Sequence, residues 1–275
     1  MFKNEFLKTF LKWRTYIGFI AIGVVVPLVE YGFKLEGGNM VRNMTRGLSQ
    51  DFLFLGNLFN GYFVTYFLMN SMWIHIPFLI TLVAGDILAG EATAGTFRLL
   101  LTRPPSRTRI FLTKYGVTLL YTAVLVFFLA VLSLGLGLWL FGAGDLLVPG
   151  GGIVILPAAE VPARMAIAFG LSILGMWCVA SLAVAFSSFV ENAIGPIIGS
   201  MAVIIVFLIV GNIPLEMFET AKPYLFTTHF ALWQRAMEDV IPWQEILNSA
   251  VVLVVYIAGF TTLSWAVFTR KDILS

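Results

Sequence analysis

The sequence predicts an all-α integral membrane protein with six transmembrane helices, and three observations carry that expectation. Hydrophobic residues make up 59% of the 275 residues and charged residues 12%, with a mean hydropathy of +0.93; an ordinary soluble domain carries roughly 25% charged residues. The apolar residues fall in six runs, each long enough to cross about 30 Å of hydrocarbon as a helix. The polar residues collect between those runs and leave no room for a soluble domain, so residues 1–275 read as one polytopic unit. The lone Cys178 lies inside an apolar run, and His75 and His229 are the only imidazoles. They leave no disulfide framework, no cysteine metal cluster and too few imidazoles for a haem or zinc relay.

Residues 1–14 come first and read as an amphipathic interfacial helix. Phe2, Phe6, Phe10 and Trp13 share one helical face, with Glu5, Lys8 and Lys12 opposite. Such a helix is either a basic anchor that holds orientation or an elbow that touches a cytosolic partner. The spans follow near Tyr16–Phe33, Tyr62–Ala84, Tyr115–Phe141, Arg164–Val190, Gly195–Ile213 and Asn248–Thr269. The first run ends Glu30-Tyr31-Gly32-Phe33 without a small-x-small cleavage site, so it is expected to stay as a span. Between spans, 34–61 is expected to be a polar loop and 142–162, rich in Gly and Pro, an irregular one. The stretch 214–247 alternates aromatics with acids and is cut by Pro214, Pro223 and Pro242. It is expected to form one or two short amphipathic helices at, or dipping into, the outer leaflet before the sixth span.

Charge sets the orientation. An even number of spans puts both termini on one side, and that side with the 85–114 loop holds 11 of the 17 Lys and Arg but only 5 of the 15 acids. The positive-inside rule then makes both termini and this loop cytoplasmic, in an inner or plasma membrane crossed several times. Ionisable residues within the spans are read as nearly absent, with His75 the exception, which argues against intramembrane catalysis and ion-coupled transport. No G-x-x-x-x-G-K-[ST], H-E-x-x-H or triad-bearing G-x-S-x-G occurs. The chain therefore reads as a non-enzyme with no metal or cofactor of its own.

Two groups inside the spans stand out. Tyr66, Asn70, Trp73, Pro77 and Thr81 fall on one face of the second span with His75 beside it. They either line a translocation path or hydrogen bond between helices, and Pro77 is expected to kink the helix. In the fifth span Gly195 and Gly199 have the G-x-x-x-G spacing of close helix packing, within the chain or across a dimer.

The 85–114 loop is the richest segment. Glu91 to Leu101 is expected to form a three-turn helix with Thr96, Phe97, Leu100 and Leu101 on one side, stopped by Thr102-Arg103-Pro104-Pro105. Ser106 then caps the third span, and Arg107, Arg109 and Lys114 sit at headgroup level. The order Gly90-Glu91-x-x-x-Gly95-Thr96-x-x-x-Leu100-Leu101-x-x-Pro104-x-Ser106-Arg107, followed by Ile110 and Lys114, resembles the signature loop of type-2 ATP-binding-cassette (ABC) exporter permeases. The resemblance implies a cytoplasmic coupling helix. Glu91, Gly95 and Thr96 match the motif core, and Leu100, Pro104, Ser106 and Arg107 match its exit. It further implies a permease subunit that pairs with a second permease and docks two copies of an ABC ATPase subunit, which carry ATP and Mg. The bilayer and an outer-side accessory protein complete the expected partners, and nucleic acid is not among them. The competing readings are an ATP-independent secondary transporter or channel and a non-transporting membrane anchor of a larger complex.

Overall fold

A computed structural model describes residues 1–45, 59–95, 106–149 and 153–271. Helix α1 (Phe2–Leu11) and helix α2 (Trp13–Thr45) meet at an elbow where Lys12 is extended. The second apolar run is divided into α3 (Gly61–Met72), α4 (His75–Ala84) and α5 (Asp86–Thr93). Then follow α6 (Arg107–Phe141), a hairpin of β1 (Leu146–Pro149) and β2 (Ile153–Leu156), α7 (Val161–Phe189) and α8 (Gly195–Asn212). The short α9 (Glu216–Glu219), two 3₁₀ segments (Lys222–Tyr224 and Phe226–Met237) and α10 (Trp243–Arg270) complete the described chain.

Six helices are long and apolar enough to span a membrane, so the chain is a multi-pass integral membrane protein. The second and fourth spans form the centre of the bundle. The first, fifth and sixth lie outside, with their apolar side chains largely exposed. Exposed tryptophans mark both rims: Trp13 and Trp265 at the end that carries the termini, Trp139 and Trp243 at the other. At roughly 1.5 Å per residue, Trp243 and Trp265 lie about 33 Å apart along α10, close to one hydrocarbon thickness.

Several expectations are corrected. The polar loop expected from residue 34 is helical as far as Thr45. No proline follows Pro27 in that run, and extending a formed helix costs little. The irregular loop expected over 142–162 contains an antiparallel hairpin with Leu146 opposite Leu156, a short insertion in an otherwise all-helical fold. Leu146, Leu147 and Leu156 are buried, which gives the hairpin its own apolar anchor. The segment 226–237, expected as a short amphipathic helix, is a 3₁₀ segment built into the bundle. Phe226, Phe230, Leu232, Trp233, Ala236 and Met237 are buried, and the segment packs on α7, α8 and α10 as a plug in the end of the bundle away from the N-terminus. Arg164 of α7 closes the plug, its guanidinium donating to the carbonyls of Ala236, Glu238 and Asp239.

The junction of α3 with α6 is unusually close. Gly61 N donates to the Gly142 carbonyl at 2.9 Å, and a Cβ on Gly61 would fall 2.4 Å from the Gly137 carbonyl carbon. Asn60 caps α3 by accepting from the amides of Tyr62 and Phe63, and its amide reaches the Asp145 carbonyl at 2.7 Å, tying helix to hairpin.

Candidate functional site at the terminal end of the bundle

Seven acids and bases from three separate stretches of the chain come together where the second span leaves the bundle. Lys114, near the start of α6, donates to Glu91 of α5 at 3.0 Å and also pairs with Glu5 of α1. Lys8 of α1 pairs with the same Glu91 oxygen, Oε1. One turn of α5 earlier, Asp86 accepts from Lys12 and Arg14, each at 2.8 Å. Lys114 is 1% and Glu91 3% exposed, whereas Lys8, Lys12 and Arg14 keep wet stems. The inner pair is held by geometry in a dry site; the outer charges sit where salt screens them.

A hydroxyl on the fourth span completes the anchor. Ser187 Oγ accepts from the amides of Leu88 and Ala89 at 3.2 and 2.9 Å and donates to the Gly85 carbonyl at 2.6 Å. It thereby satisfies backbone groups released where α4 ends and α5 begins. Thr93 Oγ1 adds a bond to the Glu191 carbonyl at 2.8 Å, in the turn between α7 and α8. Helix α5 is thus fastened to α1, α6, α7 and the following turn.

The expected coupling-loop residues divide. Glu91 does not open a helix: it sits in the last turn of α5, which begins at Asp86 and ends at Thr93 with Ala94 as its cap. Gly95 has φ +65, the left-handed conformation that closes helices, so the three-turn helix expected over 91–101 is corrected at its start. Nor is Glu91 free for a foreign base, because Lys114 and Lys8 occupy it. Ser106 caps α6 as expected, accepting from the Arg109 amide at 3.3 Å. Arg107 turns inward and donates to the Thr269 and Lys271 carbonyls at 3.0 and 2.9 Å, closing the end of α10. Thr96, Phe97, Leu100 and Pro104 lie outside the described residues.

The expected path face is split by a break at Trp73 and Ile74. Pro77 lies in the first turn of α4, where its missing N–H costs little. Tyr66, Asn70 and Trp73 converge on the plug: Asn70 Oδ1 accepts from Gln234 at 2.7 Å, and Tyr66 meets Trp233 edge-on at 5.6 Å between centroids. Trp73 joins Met69, Met72, Phe169, Met176 and Phe230 around an apolar cleft. His75 is exposed and its ring bonds the Ser71 carbonyl of α3 across the break, and Thr81 is buried against the Phe78 carbonyl; neither lines the cleft. Gly199 packs on Phe186 of α7, where a Cβ would come within 2.9 Å, and Gly195 receives the Asn192 side chain at its amide. Both glycines serve contacts inside this chain.

Sequence reasoning missed Lys12, Asp86, Lys114 and Ser187 as one assembly. Lys114 alone left a trace, a single base set in an apolar stretch. It also counted Glu30 with the outer acids, whereas Glu30 lies within the first span and is fully buried.

The fold and this site define a multi-pass membrane protein whose second span ends in a rigid, ion-paired anchor. The chain belongs to the DUF2705 family, described as "Protein of unknown function", whose model matches residues 48–274. It is similar to the "Uncharacterized protein YhcI" of Bacillus subtilis (strain 168), 28% identical over 205 residues, covering 70% of this chain and 63% of that protein. This chain therefore spans less than two thirds of that relative's length. The family match corrects the resemblance drawn from the 85–114 loop: the family shown is DUF2705, not the type-2 ABC exporter permeases. A short motif of small residues and arginines around a span junction recurs for physical reasons in unrelated membrane chains, and it does not carry membership against a match over most of the sequence.

Proposed function

We propose that this chain is the membrane-spanning subunit of an ATP-driven exporter, working as a dimer with two copies of a separate cytoplasmic ATPase subunit. The observation that carries the reading is the anchoring of α5. The ten residues 96–105 join it to α6, and each side of that connection is tied into the bundle, by Glu91 to Lys114 and by Arg107 to the end of α10. A load applied at either end of this connection reaches the first, third, fourth and sixth spans through short polar contacts. Moving a two-state bundle from about 1:99 to 99:1 takes about 5.5 kcal/mol of differential binding, and a stiff junction is what delivers it. In this reading the basic terminal end faces the cytoplasm, because 11 of the 17 Lys and Arg sit there. The cleft of Met69, Met72, Trp73 and Phe230 suits an apolar or amphipathic cargo.

The test is copurification of the tagged chain from native membranes with an ATPase subunit bearing a P-loop, followed by Gly95→Trp. A Cβ at Gly95 meets nothing within 4 Å among the described residues, but φ +65 strains any side chain there. Gly95→Ala is therefore the control that carries the strain without the bulk. Membrane insertion is expected to survive in both, while substrate-stimulated ATP hydrolysis is lost only in Gly95→Trp. Unchanged stimulation in Gly95→Trp, or a chain that purifies without any ATPase, rejects the reading.

A further inference from the structure

We propose that the first span contains a proton-binding site, the carboxyl group of Glu30. The proposal is independent of the transport reading and stands whichever energy source drives the chain. On α2, Ile22, Val26, Glu30 and Phe33 recur at helical spacing and are 2%, 0%, 0% and 9% exposed, so Glu30 occupies a core position in an apolar stripe. Neither of its carboxylate oxygens has a hydrogen-bond partner among the described residues, and no described base pairs with it. Phe33 lies one turn further out and meets Phe67 and Phe59 at 4.8 and 6.0 Å between centroids, an aromatic cluster between Glu30 and that end of the bundle.

Among the described residues, the elements packed on α2 bring no compensating charge to this level. The charges of α1 and of the base of α6 are held at the terminal end, about 25 Å from Glu30 at the helical rise. Helices α3 and α4 supply only Tyr62, Tyr66 and His75 as titratable groups, and the rest of α6 only Tyr115 and Tyr121. On α2 itself, Lys34 and Glu36 are exposed. An ionised carboxylate sealed from water without a partner costs several kcal/mol, and such a group takes up a proton instead. A carboxylic acid in that position is a reversible proton site within a span, the kind of group that marks proton and ion pathways.

Infrared difference spectroscopy of the full chain in lipid vesicles, wild type against Glu30→Gln, tests this. At neutral pH the wild type is expected to show the C=O stretch of a protonated carboxyl that Glu30→Gln lacks and Glu30→Asp retains at a shifted frequency. The band is expected to fade reversibly as pH is raised. Carboxylate bands alone at neutral pH overturn the proposal. So does a protonated band that no alkaline pH removes, since that acid exchanges nothing. Loss of the band on adding sodium or potassium chloride at fixed pH assigns the site to a metal cation and also overturns it. If Glu30→Gln fails to fold, the frequency shift in Glu30→Asp makes the assignment, and a band unshifted in Glu30→Asp overturns the proposal.

Discussion

Lys114 Nζ lies 3.0 Å from Glu91 Oε1, and the two side chains are 1% and 3% exposed. The pair joins the start of the third span to the end of the second across a gap of 23 residues. Glu5 and Lys8 of the N-terminal helix close the group, which makes it electrically neutral. A neutral, enclosed cluster of this kind contributes less to net stability than to the choice of one arrangement of helices.

That balance gives the first prediction. Lys114→Met leaves Glu91 and Glu5 facing each other in a dry site and is expected to destabilise the folded chain by about 3 kcal/mol. The double variant Lys114→Met, Glu91→Met is expected to recover most of the loss, because the most deeply buried pair is removed together and the remaining Glu5 and Lys8, three residues apart on α1, neutralise each other. Thermal unfolding in detergent, followed by size-exclusion recovery, checks both; a double variant no better than the single one refutes the coupling.

Gly61 has no room for a side chain. A Cβ there falls 2.4 Å from the Gly137 carbonyl carbon, a backbone atom that cannot swing aside. Gly61→Ala is expected to push α3 away from α6, break the bond to the Gly142 carbonyl and cost about 1–3 kcal/mol. Gly135→Ala, a site where a Cβ meets nothing within 4 Å, is the matched control and is expected to be neutral or slightly stabilising. Equal melting temperatures for the two variants contradict the packing argument.

Ser187 satisfies three backbone groups with one hydroxyl. Ser187→Ala strands the amides of Leu88 and Ala89 and the Gly85 carbonyl in a buried position, at an expected cost of about 1–3 kcal/mol. The disturbance is expected to be local. Hydrogen exchange should rise over 85–93 while the hairpin Leu146–Leu156 stays protected; a uniform rise across the chain would point to global loosening instead.

Among the described residues, the side-chain hydrogen bond that joins the plug to the second span is Gln234 to Asn70 at 2.7 Å. Asn70→Leu removes the acceptor and leaves the Gln234 amide without it. The plug is expected to become more mobile, with faster alkylation of a cysteine introduced at Ser172 on the cleft wall. No change in that rate indicates that Arg164 and the aromatic contacts hold the plug alone.

Much of the architecture was legible from local composition. The six spans follow from runs of apolar residues, since any helix crossing hydrocarbon must be apolar over about 20 residues. The Ser106 cap was visible as well, because a cap is a contact between residues three apart. The break before Pro77 was half visible: proline marked it, but where the helix stops and restarts depended on neighbouring helices. The hairpin after α6 escaped notice because its signal is two four-residue strands among glycines, and its stability comes from leucines buried against the bundle.

The candidate site was legible only as a list of charges on one side. Counting Lys and Arg places them at one end of a membrane protein but cannot pair Lys114 with Glu91, or Asp86 with Lys12, across 23 and 74 residues. Glu30 makes the same point in reverse. Its position near the end of an apolar run reads as an interfacial acid, and only the packing of α2 on its neighbours buries it. What the sequence determined by itself is the solvent each segment prefers, because hydropathy is a property of short stretches. What the tertiary structure alone decided is which charges neutralise one another and which carboxyl is left without a partner, because those outcomes depend on distances between segments that the chain order does not set.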